Sequence, residues 1–125
     1  MVNKEIIWRK KYDDDDYKAA LDFLELHFSK KESKFLVDKL QKNKTTKKKA
    51  KDILRASGLP LLSEDNIHVK HNLSKHKEGK KFSPVLLVCV SKTNKLIIAD
   101  GYHRICSVYY IGEDFNIPCK LVYKI

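Results

Sequence analysis

Several features that mark particular protein classes are missing from this sequence. There is no Cys-x-x-Cys pair, which excludes a zinc ribbon or a thioredoxin-type motif. No stretch is apolar and uncharged over the length of a membrane span, so we expect no membrane partner. The chain begins MVNKEIIWRKKYDDDD, without the apolar stretch and small-residue cleavage site of a signal peptide, and we therefore expect a cytoplasmic protein.

Cysteine is scarce and shows no pairing pattern. Cys89, Cys106 and Cys119 are widely spaced, and each has apolar neighbours. Free cysteines of this kind are usually small core residues in a reducing compartment. Cys106 is also a candidate reactive thiol because it closely follows Arg104, although a reactive thiolate needs an exposed and electropositive position.

The chain has 125 residues, enough for one domain with one core, and we predict a single domain over 1–125. Within it we predict a helical N-terminal part at 1–58 and an α+β core at 59–125, a small mixed sheet with flanking helices. The formal net charge is +10, and lysines are concentrated in 42–51 and 68–81. Such a surface attracts polyanions, which makes nucleic acid a candidate partner.

Two amphipathic helices are predicted near the N-terminus. Four aspartates at 13–16 precede a segment with apolar residues at helical spacing, namely Ala20, Leu21, Leu24 and Phe28. Aspartates in this position suit an N-cap and the positive end of the helix dipole, which is a stronger interpretation than a metal site. The second helix covers 32–42 and carries apolar residues on one side, namely Phe35, Leu36 and Leu40.

A third helix is predicted over the segment TTKKKAKDILRASG. Thr45 or Thr46 would cap this helix, and Gly58 would end it. The lysines at 47–49 would lie in its first turn, where the dipole disfavours cations, and solvent or a nearby anion would compensate. Three apolar residues would face the core, namely Ala50, Ile53 and Leu54.

The pattern changes after Pro60. A fourth helix is predicted over 67–77. The almost uninterrupted apolar run at 82–90 predicts a strand covered on both faces. A polar turn and a short apolar segment at 96–99 predict its hairpin partner, and the alternating segment at 117–123 predicts a further strand.

The segment ADGYHRICSVYYIG is compatible with either a strand or a helix. Asp-Gly followed by β-forming residues is typical of a hairpin. Ile105, Val108 and Tyr109 fall on one helical stripe, Gly112 supplies a stop, and strict alternation fails at 108–111. A helix is therefore the better fit to the pattern.

If that segment is a helix, its first turn follows directly from a buried strand. The free N–H groups of such a turn converge on one spot, which can bind an anion. Gly101 lets the backbone approach a ligand closely, and the Tyr102 amide would lie beside it. Arg104 supplies a forked donor for phosphate oxygens, and His103 supplies a second donor whose protonation would respond to a bound anion.

Asp100 leaves several alternatives open at this turn. It can cap the helix while Arg104 pairs with a surface carboxylate, in which case the turn binds nothing. It can instead orient His103, or bind a magnesium ion that accompanies a nucleotide, and Asp100 and His103 would then be catalytic. Lys81 and Ser83, just before the first strand, are lesser candidates for contacting the same ligand.

Three motifs follow one another in the second half of the chain: SPVLLV, LIIADGYHR and IPCKLV. With a helix before the first and another before the last, this order resembles the ParB/sulfiredoxin superfamily from Asn66 onward. The longer run from AKDILRASGLPLL to ADGYHR is similar to small ParB-like proteins. The resemblance implies nucleotide phosphate binding at a helix N-terminus: ATP in sulfiredoxins and related free-serine kinases, and CTP in ParB partition proteins.

The resemblance also assigns residues by position. Gly101, His103 and Arg104 match the G-C-H-R box of sulfiredoxins, whose His and Arg contact phosphate. Tyr102 stands where the catalytic cysteine of those enzymes would be, so their thiol chemistry is not expected here. Asp100, Gly101 and Arg104 are similar to the D-G-x-x-R-like box of the serine kinases.

Three functions are therefore considered. The first is a nucleotide-binding protein that holds the phosphates of ATP, ADP or CTP, with or without magnesium, as a phosphotransferase or nucleotide hydrolase; no general base stands out, so enzymatic activity stays open. The alternative is a nucleic-acid-associated protein that contacts backbone phosphates through its lysine-rich face. The third is an interaction module of the same fold without a ligand.

Overall fold

The structure is a computed structural model that describes residues 5–125. It is an α+β fold with four strands and five helices among these residues. In chain order the elements are α1 (Asp14–Leu24), α2 (Lys30–Lys42), β1 (Thr46–Lys49), α3 (Ala50–Ser57), α4 (Ile67–Lys77), β2 (Val85–Val90), β3 (Lys95–Asp100), α5 (Tyr102–Ile111) and β4 (Asn116–Lys124).

The four strands form one mixed sheet in the order β1-β4-β2-β3. β2 and β3 are an antiparallel hairpin, as the sequence predicts. β4 runs parallel to β2, with Cys119 opposite Val85, and antiparallel to β1. The prediction of an α+β fold with a small mixed sheet is confirmed at this level.

Helices cover both faces of the sheet. Alternate residues of β2 point into two separate cores, because successive side chains of a strand point to opposite faces. Val85 and Leu87 pack with residues of α3, α4 and α5, whereas Leu86 and Val88 pack with residues of α1 and α2. The prediction that this strand is covered on both faces is therefore confirmed.

The lysine run is a strand and not the first turn of a helix. Thr46–Lys49 form β1, whose four residues are all exposed and pair with β4 at one edge of the sheet. α3 begins only at Ala50. An edge strand directs lysines into solvent and avoids placing them against the positive end of a helix dipole. The predicted cap at Thr45 or Thr46 is thus wrong, and 1–58 are not wholly helical.

The remaining predictions for the first three helices are mostly correct. Asp13 is the N-cap of α1, and Gly58, at φ 69°, ends α3. Phe28 lies beyond the end of α1, although it packs against the same core. Phe35 is 62% exposed and does not share the buried face of α2, which is formed by Ser33, Leu36, Val37 and Leu40.

The ambiguous segment after β3 is a helix, as the pattern favours. α5 starts directly after Gly101, and its residues Ile105 and Val108 are fully buried. No helix among residues 5–125 combines the length and the apolar character needed to cross a bilayer.

Candidate functional site

The junction between β3 and α5 requires glycine. Gly101 has φ 109°, a conformation that residues with a Cβ adopt only at a cost. A Cβ at this position would lie 2.9 Å from Val85 Cβ and would collide with Val85 Cγ1. Gly101 therefore lets the chain turn from the strand into the helix while it lies directly against β2.

The first turn of α5 has free amides. The first bond into the helix is donated by Ile105 N to Gly101 O, at 2.9 Å, and the N-cap residue, Gly101, has no side chain with which to cap the helix. Within residues 5–125, no acceptor is hydrogen-bonded to the amides of Tyr102, His103 or Arg104. The backbone thus presents donors at the positive end of the helix dipole.

Arg104 is held by acceptors from the protein itself. Its Nη2 donates to Asp100 Oδ2 at 2.9 Å and to Pro84 O at 3.2 Å, and it lies 4.0 Å from Asp16 Oδ1. The three side chains are largely buried, with Arg104 21% exposed. Asp100 therefore pairs with Arg104, and it neither caps α5 nor contacts His103 as the sequence-based alternatives proposed.

Asp16 is a member of this cluster that sequence reasoning missed. It lies in the first turn of α1, where it accepts a hydrogen bond from Asp13 N at 3.1 Å. Its approach to Arg104 depends on α1 packing against β3. No local sequence signal distinguishes it from the neighbouring aspartates, because only the tertiary fold brings α1 to this site.

Asp100 and Asp16 share one guanidinium, and the pKa of Asp100 is set more by burial than by this ion pair. Burial raises the pKa of Asp100 to about 6, against the lowering effect of Arg104 and with a smaller raising contribution from Asp16. Desolvation thus exceeds the ion pair in its effect on the protonation of this carboxyl.

A polar cleft of about 230 Å³ lies in front of the free amides. One wall is the start of α5, and the other is a stripe on α4. The lining residues are His68, His71, Asn72, Lys75, Ser83, Asp100, Gly101, Tyr102, His103 and Arg104. The α4 residues were missed, although their spacing of three and four along HVKHNLSK places them on one helical face.

His103 faces His68 across the cleft. The ring centroids are 4.6 Å apart, and the planes are tilted by 54°. The pKa of His103 is lowered, mainly by burial and then by the neighbouring His68 and Arg104. Its imidazole is therefore neutral at pH 7, when one ring nitrogen donates and the other accepts.

The hydroxyl of Tyr102 has a structural partner. It donates to Pro60 O, and the hydroxyl of Tyr110 donates to Leu62 O at 2.6 Å. The two tyrosines hold the segment between α3 and α4 against α5.

Of the two lesser candidates, Ser83 and Lys81, only one lies at the cleft. Ser83 lines the cleft, whereas Lys81 is exposed and is not part of the lining. The adjacent Phe82 exchanges backbone hydrogen bonds with Ile7 and Arg9 at 2.8 Å each, which holds this segment to the N-terminal residues. Lys81 therefore lies outside the cleft lining in which Ser83 takes part.

A reactive role for Cys106 is contradicted by its position. The residue is fully buried, and burial raises the pKa of its thiol. Both features disfavour the thiolate, so Cys106 behaves as a small core residue.

A resident magnesium ion does not fit the residues at Asp100. Magnesium prefers several oxygen ligands in an octahedral arrangement. The Asp100 carboxylate instead accepts from Arg104, whose positive charge stands where a cation would bind. No group of three or more His, Cys, Asp or Glu side chains within residues 5–125 is arranged to hold a metal ion.

Comparison of the chain with models of protein families, with curated proteins and with solved structures gives no match.

Proposed function

We propose that this protein binds the phosphates of a nucleotide, such as ATP, ADP or CTP, in the cleft between α4 and the start of α5. One observation carries the proposal: unsatisfied backbone amides and several cationic or donor side chains line the same small cleft. Backbone donors at a helix N-terminus and nearby cations are the usual elements of a phosphate site.

The groups available to a ligand differ from those that the motif implies. Asp100 and Asp16 largely satisfy the charge of Arg104, so this residue contributes little free charge to the cleft. Lys75, His68 and His71, on one face of α4, are the cationic or protonatable groups opposite the amides. The ligand's affinity therefore depends on the amides and α4, while Arg104 fixes the position of the turn.

The resemblance to the ParB/sulfiredoxin superfamily supports the same proposal. Strand β3, Gly101 and α5 follow one another in the order expected for a phosphate-binding box of that superfamily. We propose the ParB/sulfiredoxin-like fold as the finer description of this α+β architecture.

If the bound nucleotide reacts, His103 is the best-placed proton acceptor. Its lowered pKa keeps the imidazole neutral at pH 7, which a general base requires. Asp100 is committed to Arg104, so it acts as a positioning group rather than as a base. Phosphoryl transfer relies mainly on positioning and charge stabilisation, which the amides and Lys75 supply.

The proposal is tested by a thermal-shift panel of ATP, ADP and CTP on three proteins: wild type, Lys75→Ala and Lys77→Ala. A ligand at a hundredfold its dissociation constant stabilises the folded state by about 2.7 kcal/mol. We expect such a shift for wild type, a smaller one for Lys75→Ala, and the full shift for Lys77→Ala, because Lys77 is exposed outside the cleft. Absence of any shift with all three nucleotides would refute nucleotide binding.

A second candidate, contact with nucleic acid, is favoured by the position of β1. Its three lysines are exposed on an edge strand, and Asp114 pairs with Lys49 at 3.9 Å and with Lys51 at 2.7 Å. Lys47 and Lys48 are exposed without contributing to those pairs. Three results would together support this function: binding of a DNA duplex weakens steeply with salt, the double variant Lys47→Ala with Lys48→Ala reduces it, and Lys75→Ala leaves it unchanged.

A further inference from the structure

We propose that the cleft recognises the phosphate chain alone and leaves base and ribose outside, so that free tripolyphosphate binds as tightly as a nucleoside triphosphate. This inference rests on the proposed phosphate site and names the part of the ligand that the site selects. The size of the cleft, the chemistry of its lining and the position of a separate apolar groove support it independently.

The cleft is too small to enclose a nucleotide. Its volume is about 230 Å³. Pockets that bury most of a drug-sized ligand have volumes of roughly 300–1,000 Å³. A chain of phosphates fits the smaller space, and the nucleoside then extends into solvent.

The lining offers mainly hydrogen-bond donors and has little surface on which a base can stack. The rings of His68 and His103 have centroids 4.6 Å apart, which is a distance for contact with each other and leaves no room for a base between them. The hydroxyl of Tyr102 is held by Pro60 O, which fixes its ring against the segment before α4. The remaining lining side chains are the exposed imidazole of His71 and five short or charged groups: Asn72, Lys75, Ser83, Asp100 and Arg104.

A larger and more apolar groove lies on the opposite face of the sheet. It has a volume of about 810 Å³ and is lined in part by Phe35, Leu36 and Tyr123. α2 covers the face away from α4 and α5. A base attached to phosphates in the cleft therefore cannot enter this groove, and base selectivity has no structural source there.

Isothermal titration with ATP, CTP, tripolyphosphate and adenosine tests the inference at one pH and one ionic strength. We expect dissociation constants within threefold for ATP, CTP and tripolyphosphate, and no binding of adenosine. Lys75→Ala should weaken the three phosphate ligands by the same factor, about tenfold, and Lys77→Ala should leave them unchanged.

The outcomes separate this inference from the proposed function. A preference of more than tenfold between ATP and CTP, or nucleotide binding without tripolyphosphate binding, overturns the inference while the nucleotide site stands. Absence of binding by all four ligands overturns both proposals. Equal binding of the three phosphate ligands with loss in Lys75→Ala supports both.

Discussion

Replacing Gly101 with alanine tests the geometry on which the site depends. Alanine at φ 109° is strained, and its Cβ would lie 2.9 Å from Val85 Cβ and closer still to Cγ1. The strain costs about 1–2 kcal/mol, and forcing an extra methyl group into a packed core costs about 1–3 kcal/mol. We expect Gly101→Ala to lower the free energy of unfolding by about 3 kcal/mol, measured by urea denaturation.

Gly58 provides a matched control. Its φ of 69° is also positive, but no atom of the described residues lies within 4 Å of a Cβ added there. Gly58→Ala should therefore cost only the conformational part, about 1 kcal/mol. Equal losses in the two variants would show that close approach to Val85 does not matter, and would refute the packing argument.

A double variant separates strain from collision more directly. Val85→Ala removes the methyl group with which the new Cβ collides, so Gly101→Ala should cost less in that background. We expect a coupling free energy of about 1 kcal/mol between the two sites. Strict additivity would indicate that the loss arises from the backbone of Gly101 alone.

Three further predictions concern titration and anchoring. Because the pKa of Asp100 is raised to about 6, the folded state binds a proton at this carboxyl more tightly than the unfolded state does. The free energy of unfolding, measured by urea denaturation, should therefore increase from pH 7 to pH 5 by about 1 kcal/mol more in wild type than in Asp100→Asn. The same pH dependence in both proteins would contradict this. The pKa of His103 is lowered in the free protein, and the negative charge of a bound phosphate should raise it. The affinity for tripolyphosphate, measured by calorimetry, should therefore increase from pH 8 to pH 6, and this increase should be smaller in His103→Gln. Lys120 Nζ donates to Tyr17 Oη and Gln41 O at 3.0 Å each, so Lys120→Met should lower the free energy of unfolding by about 1 kcal/mol in urea and Tyr17→Phe by less.

Much of the fold follows from local pattern. The β2–β3 hairpin is marked by two apolar runs on either side of a polar turn, a pattern that short-range physics explains. The choice of a helix for α5 is correct because its apolar residues form one stripe that packs against the sheet. Asp-Gly, typical of hairpins, instead supplies the left-handed residue that joins β3 to α5.

The lysine run shows why some elements cannot be predicted from local sequence. Four polar residues form β1 only because β4, far along the chain, offers its edge for pairing. Strand propensity depends on such neighbours more than on the residues themselves. The exposure of Phe35 could not be predicted for a similar reason, because the buried face of α2 depends on which side of the helix meets the sheet.

Part of the candidate site is likewise visible in the sequence, and part depends on the tertiary fold. The turn at Gly101 and the donors after it are visible in the sequence, and the stripe on α4 was available from its spacing. The contact of Asp16 with Arg104 could not be predicted from the sequence, because it joins the first helix to the last. Charge compensation across the fold therefore decides which basic residue of the motif is free to bind a ligand.

Arg104 illustrates the consequence for function. Its Nε is buried and has no hydrogen-bond partner within residues 5–125, while Nη2 contacts Asp100 and Pro84 O. A phosphate that takes the forked face of this guanidinium must displace a buried carboxylate, which is costly unless the carboxylate is protonated. The raised pKa of Asp100 lowers that cost as pH falls, so the two carboxylates and the phosphate compete for one cation. Within residues 5–125, no carboxylate pairs with the free amides of α5 or with the cleft-lining side chains of α4, and for this reason these are the groups on which the proposed phosphate binding depends.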